Sequence, residues 1–476
     1  MFKAKRMHPA TILFKFLQAL KGWFFYFVIG FFAVRENHFM YFLLIVIAIV
    51  ILLLTYSILS WIRFTYRIEQ DELWIKYGVF IRKERHVSKN RIQSIDLTQG
   101  IIHRIFHLAK VQIETASGGT GAEISLQAVQ YEEGKRIRRE FKEFTSEVDS
   151  TDENGMQNND KTYTITFKRL LLAGATSGSA GVILAFIGVA FSEMEQFIPE
   201  QFYDSMILWV IGLSIIFVIG LVIILFVVVW ILGILGTVVK YWNFTITKND
   251  EELFITRGLL EKKQLTVPIK RIQAVGMTES IIRQPFGYVT LFAEVAGSTL
   301  DQGEDFSTVL FPILRKGEVE EFLQHLIPAY SLDMKEITQV PKRGLKYYLI
   351  RASLFFVLLS AAMIYFLPQL SWVLILIFIA FLFLGYFRYK DAGFSLDKNR
   401  LAIRYRKLSK TTVMLYPKRI QALEKKQHIL HQKEDLATLD IAIIGKMGAG
   451  KHYKLKELKE EDVHRLAEWY SREVRR

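Results

Sequence analysis

The chain of 476 residues contains no cysteine. Disulfides, thiolate metal sites and cysteine nucleophiles are therefore excluded. The long apolar blocks contain almost no charge; the exceptions are Lys21 in the first block and Arg351, near one end of its block. Charges inside a membrane usually mark an ion or substrate path, so their scarcity argues against a transporter. No Ser-His-Asp arrangement, nucleophile elbow or acidic cluster can be traced, and no catalytic, metal or cofactor residue is assigned.

What is present is a mixture. Half the chain is hydrophobic, yet 23% is charged. Lys and Arg (61) exceed Asp and Glu (47), a net charge of +14. In a chain with long apolar blocks this balance is read as basic cytoplasmic faces beside anionic lipid, rather than as a nucleic-acid footprint.

Six apolar blocks lie near Phe16–Val34, Phe39–Trp61, Leu170–Phe191, Met206–Gly236, Tyr347–Leu367 and Leu370–Phe387. Spanning takes about 20 apolar residues. The first block is the weakest, because it contains Gln18 and Lys21. Lys and Arg gather at the N-terminus and at Arg63, Arg67, Lys240, Lys342, Arg343, Lys346, Arg388 and Lys390. The segment after the third block carries Glu193, Glu195, Glu200 and Asp204 without Lys or Arg. The positive-inside rule then puts both termini and every large polar segment in the cytoplasm.

The tripeptide RIQ occurs three times, in KNRIQSIDLTQG, IKRIQAVGMTES and PKRIQALEKKQH. It marks an internal repeat. FTYRIEQDELWIKYG from Phe64 aligns with FTITKNDEELFITRG from Phe244, and a third copy starts at Phe394. Each copy follows a pair of apolar blocks. The expected organisation is membrane hairpin 1–62, domain 63–146, flexible acidic linker 147–165, hairpin 166–240, domain 241–330, hairpin 331–391 and a divergent domain 392–476.

Within a copy, alternating residues predict strands up to a turn glycine, Gly78 or Gly258, and a returning strand. The RIQ strand follows, with Ile92 and Ser94 expected on one face and Arg91, Gln93 and Ile95 on the other. A short helical turn, a Gly-rich hairpin and an amphipathic helix (Glu132–Phe144, Gly317–Leu326, Glu461–Val474) close the unit. The expected fold class is a multi-pass α-helical membrane protein with six spans as three hairpins. It bears three cytoplasmic α+β domains, each a small, partly open β-barrel capped by a helix.

The stretch GLLEKKQLTVPIKRIQAVGMTESIIRQPFGYVTLFAEVAG resembles the bacterial pleckstrin-homology-like (bPH2-type) domain of membrane proteins. The chain is similar to the long form with three such domains. The resemblance implies a pleckstrin-homology-like fold, a membrane location, no catalytic residues, and a smaller single-domain membrane protein as partner. The third copy departs from the pattern: HILHQKEDLATL replaces IIRQPFGYVTL.

GKMGAGKH, Gly445–His452, comes close to a phosphate-binding loop. His452 stands where a hydroxyl is needed, and the repeat register makes the loop a hairpin turn. His103 with His107, and His428 with His431, have helical ligand spacing, but copy two has Arg283 and Gly287 at the first pair's places. Arg91, Gln93, Arg271, Gln273, Arg419 and Gln421 are candidates for a lipid or partner surface through the guanidinium fork; the rival reading is that they satisfy local backbone. Gly174, Gly178 and Gly181 are candidates for close helix packing or an oligomer face.

Overall fold

The computed structural model describes residues 4–34, 38–69, 72–115, 124–141, 162–178, 181, 183–184, 188, 215–296, 307–330, 336–366, 371–397, 399–444 and 450–475. The expected linker 147–165 lies almost wholly outside them. The chain divides into two compact units, Met1–Asn159 with Leu260–Pro268, and Asp160–Leu259 with Ile269–Arg476.

The first unit opens on two antiparallel helices, α1 (Ala10–Ala33) and α2 (Phe39–Arg63), which pack on each other. A sheet follows of β1 (Thr65–Glu69), β2 (Glu72–Tyr77) and β3 (Lys83–Ser88). Gly78 has φ +107°, and an added Cβ would meet the Ile81 carbonyl, so the turn between β2 and β3 requires glycine. Next come β4 (Ile92–Gln99), the short α3 (Ile101–Ile105), β5 (Leu108–Thr115), β6 (Ile124–Gln130) and α4 (Tyr131–Phe141). Tyr66, Leu73, Ile95, Val111, Leu126 and Ile137 share one core from both sheets and the closing helix.

In the second unit, β7 (Thr162–Thr164) precedes α5 (Phe167–Ala175), and α6 (Ile215–Tyr241) leads into β8 (Thr245–Asn249) and β9 (Glu252–Arg257). The strand β10 (Lys262–Pro268) belongs to the first unit. Then follow β11 (Ile272–Glu279), β12 (Tyr288–Val295), β13 (Thr308–Arg315) and α7 (Val319–Leu326). The third repeat runs β14 (Thr338–Gln339), α8 (Leu345–Phe366), α9 (Ser371–Asp391), β15 (Gly393–Asp397), β16 (Arg400–Arg406) and β17 (Lys410–Leu415). It ends with β18 (Ile420–Lys426), α10 (Ile429–Gln432), β19 (Leu436–Ile444), β20 (Gly450–Lys459) and α11 (Glu460–Arg475).

Four helices among the described residues are long and apolar enough to cross a membrane: Ala10–Phe31, Phe39–Arg63, Ile216–Tyr241 and Val373–Asp391. α5 and α8 begin where the remaining two blocks begin.

Two expectations change. Among the described residues no sheet closes on itself within a repeat. Instead, the RIQ strand of one repeat takes the third strand of the next: β10 pairs with β4, and β17 with β11. The sheet of the second unit is therefore continuous, in the order β13-β12-β11-β17-β16-β15-β14. Its core mixes Ala274 and Phe292 of the second repeat with Leu401, Val413 and Ile441 of the third. The period-two reading of RIQ also fails. Every RIQ strand shifts register at one place, between Ile92 and Ser94, Ile272 and Ala274, and Ile420 and Ala422. The glutamine is the extra residue of a β-bulge, which breaks alternation between faces.

Candidate membrane-facing site

Each RIQ arginine ends a single 3-10 turn, Lys89–Arg91, Ile269–Arg271 or Pro417–Arg419, just before its strand. Arg271 donates through Nη2 to the Ala296 carbonyl, and Ala296 N–H returns a bond to the Arg271 carbonyl at 3.1 Å. Gln273, 3% exposed, donates to the Arg271 carbonyl at 3.0 Å. Arg419 hydrogen-bonds Tyr330, whose phenol burial pushes up to about 12. In the second and third repeats a tyrosine after or within the closing helix caps the RIQ isoleucine: Tyr330 donates to Ile272 O at 2.9 Å, and Tyr470 to Ile420 O at 3.2 Å. These groups thus meet backbone and tyrosine oxygens. Arg91, Lys418 and Gln421 are exposed; Gln93 is half-buried.

Twelve residues after the RIQ arginine stands His103, Arg283 or His431. All three meet the first helix of their own hairpin. His103 stacks on Phe14 of α1, ring centroids 3.9 Å apart and 8° from parallel, and donates to Gln127 O at 2.9 Å. Burial pushes its imidazole below the ordinary histidine range. Arg283, 8% exposed, donates to Ala173 O at 3.0 Å and Thr176 Oγ1 at 2.9 Å, at the end of α5. It also reaches Pro312 O at 3.1 Å and the Thr290 hydroxyl. A cation there complements the orphan carbonyls and dipole of a helix C-terminus. His431 lies edge-on to Tyr347 of α8 at 4.8 Å, and the Tyr347 hydroxyl donates to Leu430 O at 3.2 Å. One turn on, Arg351 pairs with buried Glu457 of β20.

The second helix of each hairpin is tied to the other turn of its domain. Arg63, ending α2, donates to Val79 O at 2.7 Å. In repeat two, Gly258 and Leu259 donate to Trp242 O (2.9 Å) and Val239 O (2.8 Å). In repeat three, Arg388 of α9 donates to Lys407 O at 2.8 Å.

Large apolar side chains crowd both turns and are exposed. On the turn after RIQ they are Ile101, Ile105 and Phe106; Ile281, Ile282 and Phe286; and Ile429 and Leu430. On the glycine turn they are Phe80 (90% exposed) and Ile81, then Leu259, then Leu408. Contiguous apolar exposure of this kind marks a protein or membrane contact. On each domain these side chains lie at the turns tied to the ends of its own hairpin helices.

The remaining candidates fall elsewhere. A Cβ on Gly174 would approach Ile234 of α6 to 3.0–3.1 Å from Cα, Cγ2 and carbonyl oxygen, so this glycine sits in close helix contact. Among the described residues nothing lies within 4 Å of a Cβ on Gly178 or Gly181. Residues 445–449 of GKMGAGKH lie outside the described residues; Ile444 pairs with Gly450, and a strand follows rather than a helix. Lys451 binds Glu294, and His452 lies 3.0 Å from Asp440. Among the described residues no group of three His, Asp or Glu could hold a metal.

The position twelve residues after RIQ was missed as a docking residue. Its signal was present in the repeat register: every copy carries there a residue with a donor nitrogen, His, Arg and His. The histidine pairs were weighed only against metal ligation, with ordinary, partly exposed histidines as the default.

The family model for the bacterial PH domain matches residues 17–145, 207–329 and 353–474. The chain is also 31% identical to the UPF0699 transmembrane protein YdbT of Bacillus subtilis (strain 168), over 99% of each chain. Each matched segment contains at least part of a hairpin and the domain docked on it. The chain therefore belongs to the bacterial PH-domain family of transmembrane proteins.

Proposed function

We propose that this protein is a non-enzymatic scaffold of the bacterial cell membrane, with six spans and with both termini and all three domains on the cytoplasmic side. Its domains bind anionic lipid headgroups at the surface and hold a partner protein there. The observation that supports this reading is the pair of apolar turns on each domain, tied to the two helix ends of its own hairpin. Those turns enter the interface as amphipathic anchors do. Arg63, Lys240, Lys346, Arg388 and Lys390 at the helix ends meet the negative leaflet. Attachment at the membrane raises local concentration, so weak contacts suffice. The family resemblance and this placement suit a role in envelope maintenance or in resistance to membrane-active antimicrobial agents.

The test uses the full chain in nanodiscs. A fluorophore on Ile105→Cys, Phe286→Cys or Leu430→Cys is exposed to lipids with a quencher near the headgroup. Quenching is expected in all three, and more strongly with phosphatidylglycerol than with phosphatidylcholine alone. Labels that stay unquenched in both lipids refute the placement. Orientation is read separately: an impermeant thiol reagent outside intact cells should label Ser192→Cys and Asp204→Cys but not Gln93→Cys.

A further inference from the structure

The two joints between repeats use one register. Gln99, eight residues after Arg91, faces Lys262, nine before Arg271. Glu279, eight after Arg271, faces Lys410, nine before Arg419. The RIQ strand is thus an acceptor edge, and the third strand of a repeat is its donor. Three acceptors and three donors make two joints, so β18 and β3 remain. Each is an edge strand: β18 pairs with β19 and β3 with β2, and neither carries a second strand among the described residues.

Burial agrees. β11 is buried along almost its whole length, and β4 at its centre, whereas β18 is exposed except at Ile420 and Leu423. A long open edge is a template for another strand. The charges say which strand. In the shared register, Lys425 faces Glu84 and Glu424 faces Arg85. The single like pair is Lys426 with Lys83, and Asp440 at 2.8 Å and Glu424 at 2.7 Å already hold Lys426.

We propose that β18 of one chain accepts β3 of a second copy, antiparallel and in this register. The chains are then joined head to tail by the same contact that joins their repeats. Such a heterologous contact builds rings or rows rather than a symmetric pair. The proposal rests on the reading above only in placing the first and third domains on the same side of the membrane. It names a second copy as the protein held.

With no cysteine in the chain, the joint can be trapped in membranes. Two tagged full-length chains, one Glu84→Cys and one Lys425→Cys, are expressed together and oxidised. Directly facing residues have Cα atoms about 4.5–5.5 Å apart, within the range a disulfide spans. The expected product is a dimer carrying both tags, with a several-fold lower yield when Leu423→Cys replaces Lys425→Cys, since diagonal positions lie about 7–8 Å apart. A chain carrying both cysteines should give a ladder. With the cysteines in place, the change Glu424→Arg should lower the trapped fraction about three- to fivefold, and Arg85→Glu in the other chain should restore it. Trapping fails the proposal if the in-register pair forms no bond, bonds only within one chain, or bonds only to another protein such as a single-domain relative. Thiol labelling of the same single-cysteine chains shows on which side each strand lies. Loss of the joint is thereby told apart from a wrong side assignment.

Discussion

The strands β11 and β18 are the same strand of the same repeat, written as IQAVGMTE and IQALEKK. Both follow a 3-10 turn, both bulge at glutamine, and both have a tyrosine hydroxyl on the isoleucine carbonyl. They differ in what lies on the outer edge. β11 is covered by β17 and is apolar; β18 is uncovered and charged. At the fifth residue after the arginine, one has Gly276 and the other Glu424. A Cβ on Gly276 would lie 2.9 Å from the Thr412 carbonyl and against the Phe292 ring. The repeat thus sets the strand's path, and its neighbour sets its composition.

This contrast breaks most visibly at Gly276. Gly276→Val should force the sheet joint open and destabilise the chain by about 3 kcal/mol, the upper range for overpacking. Glu424→Val should stay within about 0.5 kcal/mol in the isolated chain while reducing trapped dimers. Chemical denaturation in detergent, followed beside disulfide trapping, separates the two. A Gly276→Val chain as stable as the parent would mean that β17 does not close on β11 as described.

Next in size is the hairpin contact of the second repeat. Arg283→Met removes donors from Ala173 O and Pro312 O and should cost on the order of 2–3 kcal/mol, the range for bonds from a charged group. His431→Met, at the equivalent place but meeting Tyr347 only edge-on, should cost well under half as much. Chemical denaturation in detergent reports both changes; equal effects at the two sites would remove the distinction.

A smaller effect depends on pH. Unfolded, His103 titrates near 6.5, and burial holds it lower in the folded chain. The folded form therefore takes up fewer protons. Its share of stability is complete above about pH 6.5 and is lost as pH falls toward the folded value. Protection against hydrogen exchange along α1, corrected for the intrinsic exchange rate at each pH, should fall on acidification in the parent. In His103→Phe, which keeps the stack on Phe14, it should not. Arg283 supplies the counterpart without titration in this range.

Much of the repeat was legible as text. Alternation marked ELWIKYG and ELFITRG as strands, and Gly78 and Gly258 as turns, because a pleated strand with one buried face must alternate. The hairpin reading of GKMGAGKH came chiefly from the repeat register, with His452 in the hydroxyl position and strand-like alternation after it. The bulge was hidden because Gln93, Gln273 and Gln421 look like any outward polar residue. The joints were hidden for another reason. Strand pairing is made by backbone N–H and C=O groups, which every residue carries, so letters do not reveal which strand sits alongside. Docking by His103, Arg283 and His431 was masked by their different chemistries: ring stacking, a buried guanidinium and an edge-on ring.

The sequence by itself determined the three-fold repeat, the apolar blocks and the strands and turns within each copy, since these depend on local patterning. Tertiary structure alone decided that the first two RIQ strands are each completed by the next repeat, and that among the described residues the third keeps an open edge. Partner choice along a sheet edge is a matter of space and register, which the linear pattern does not contain.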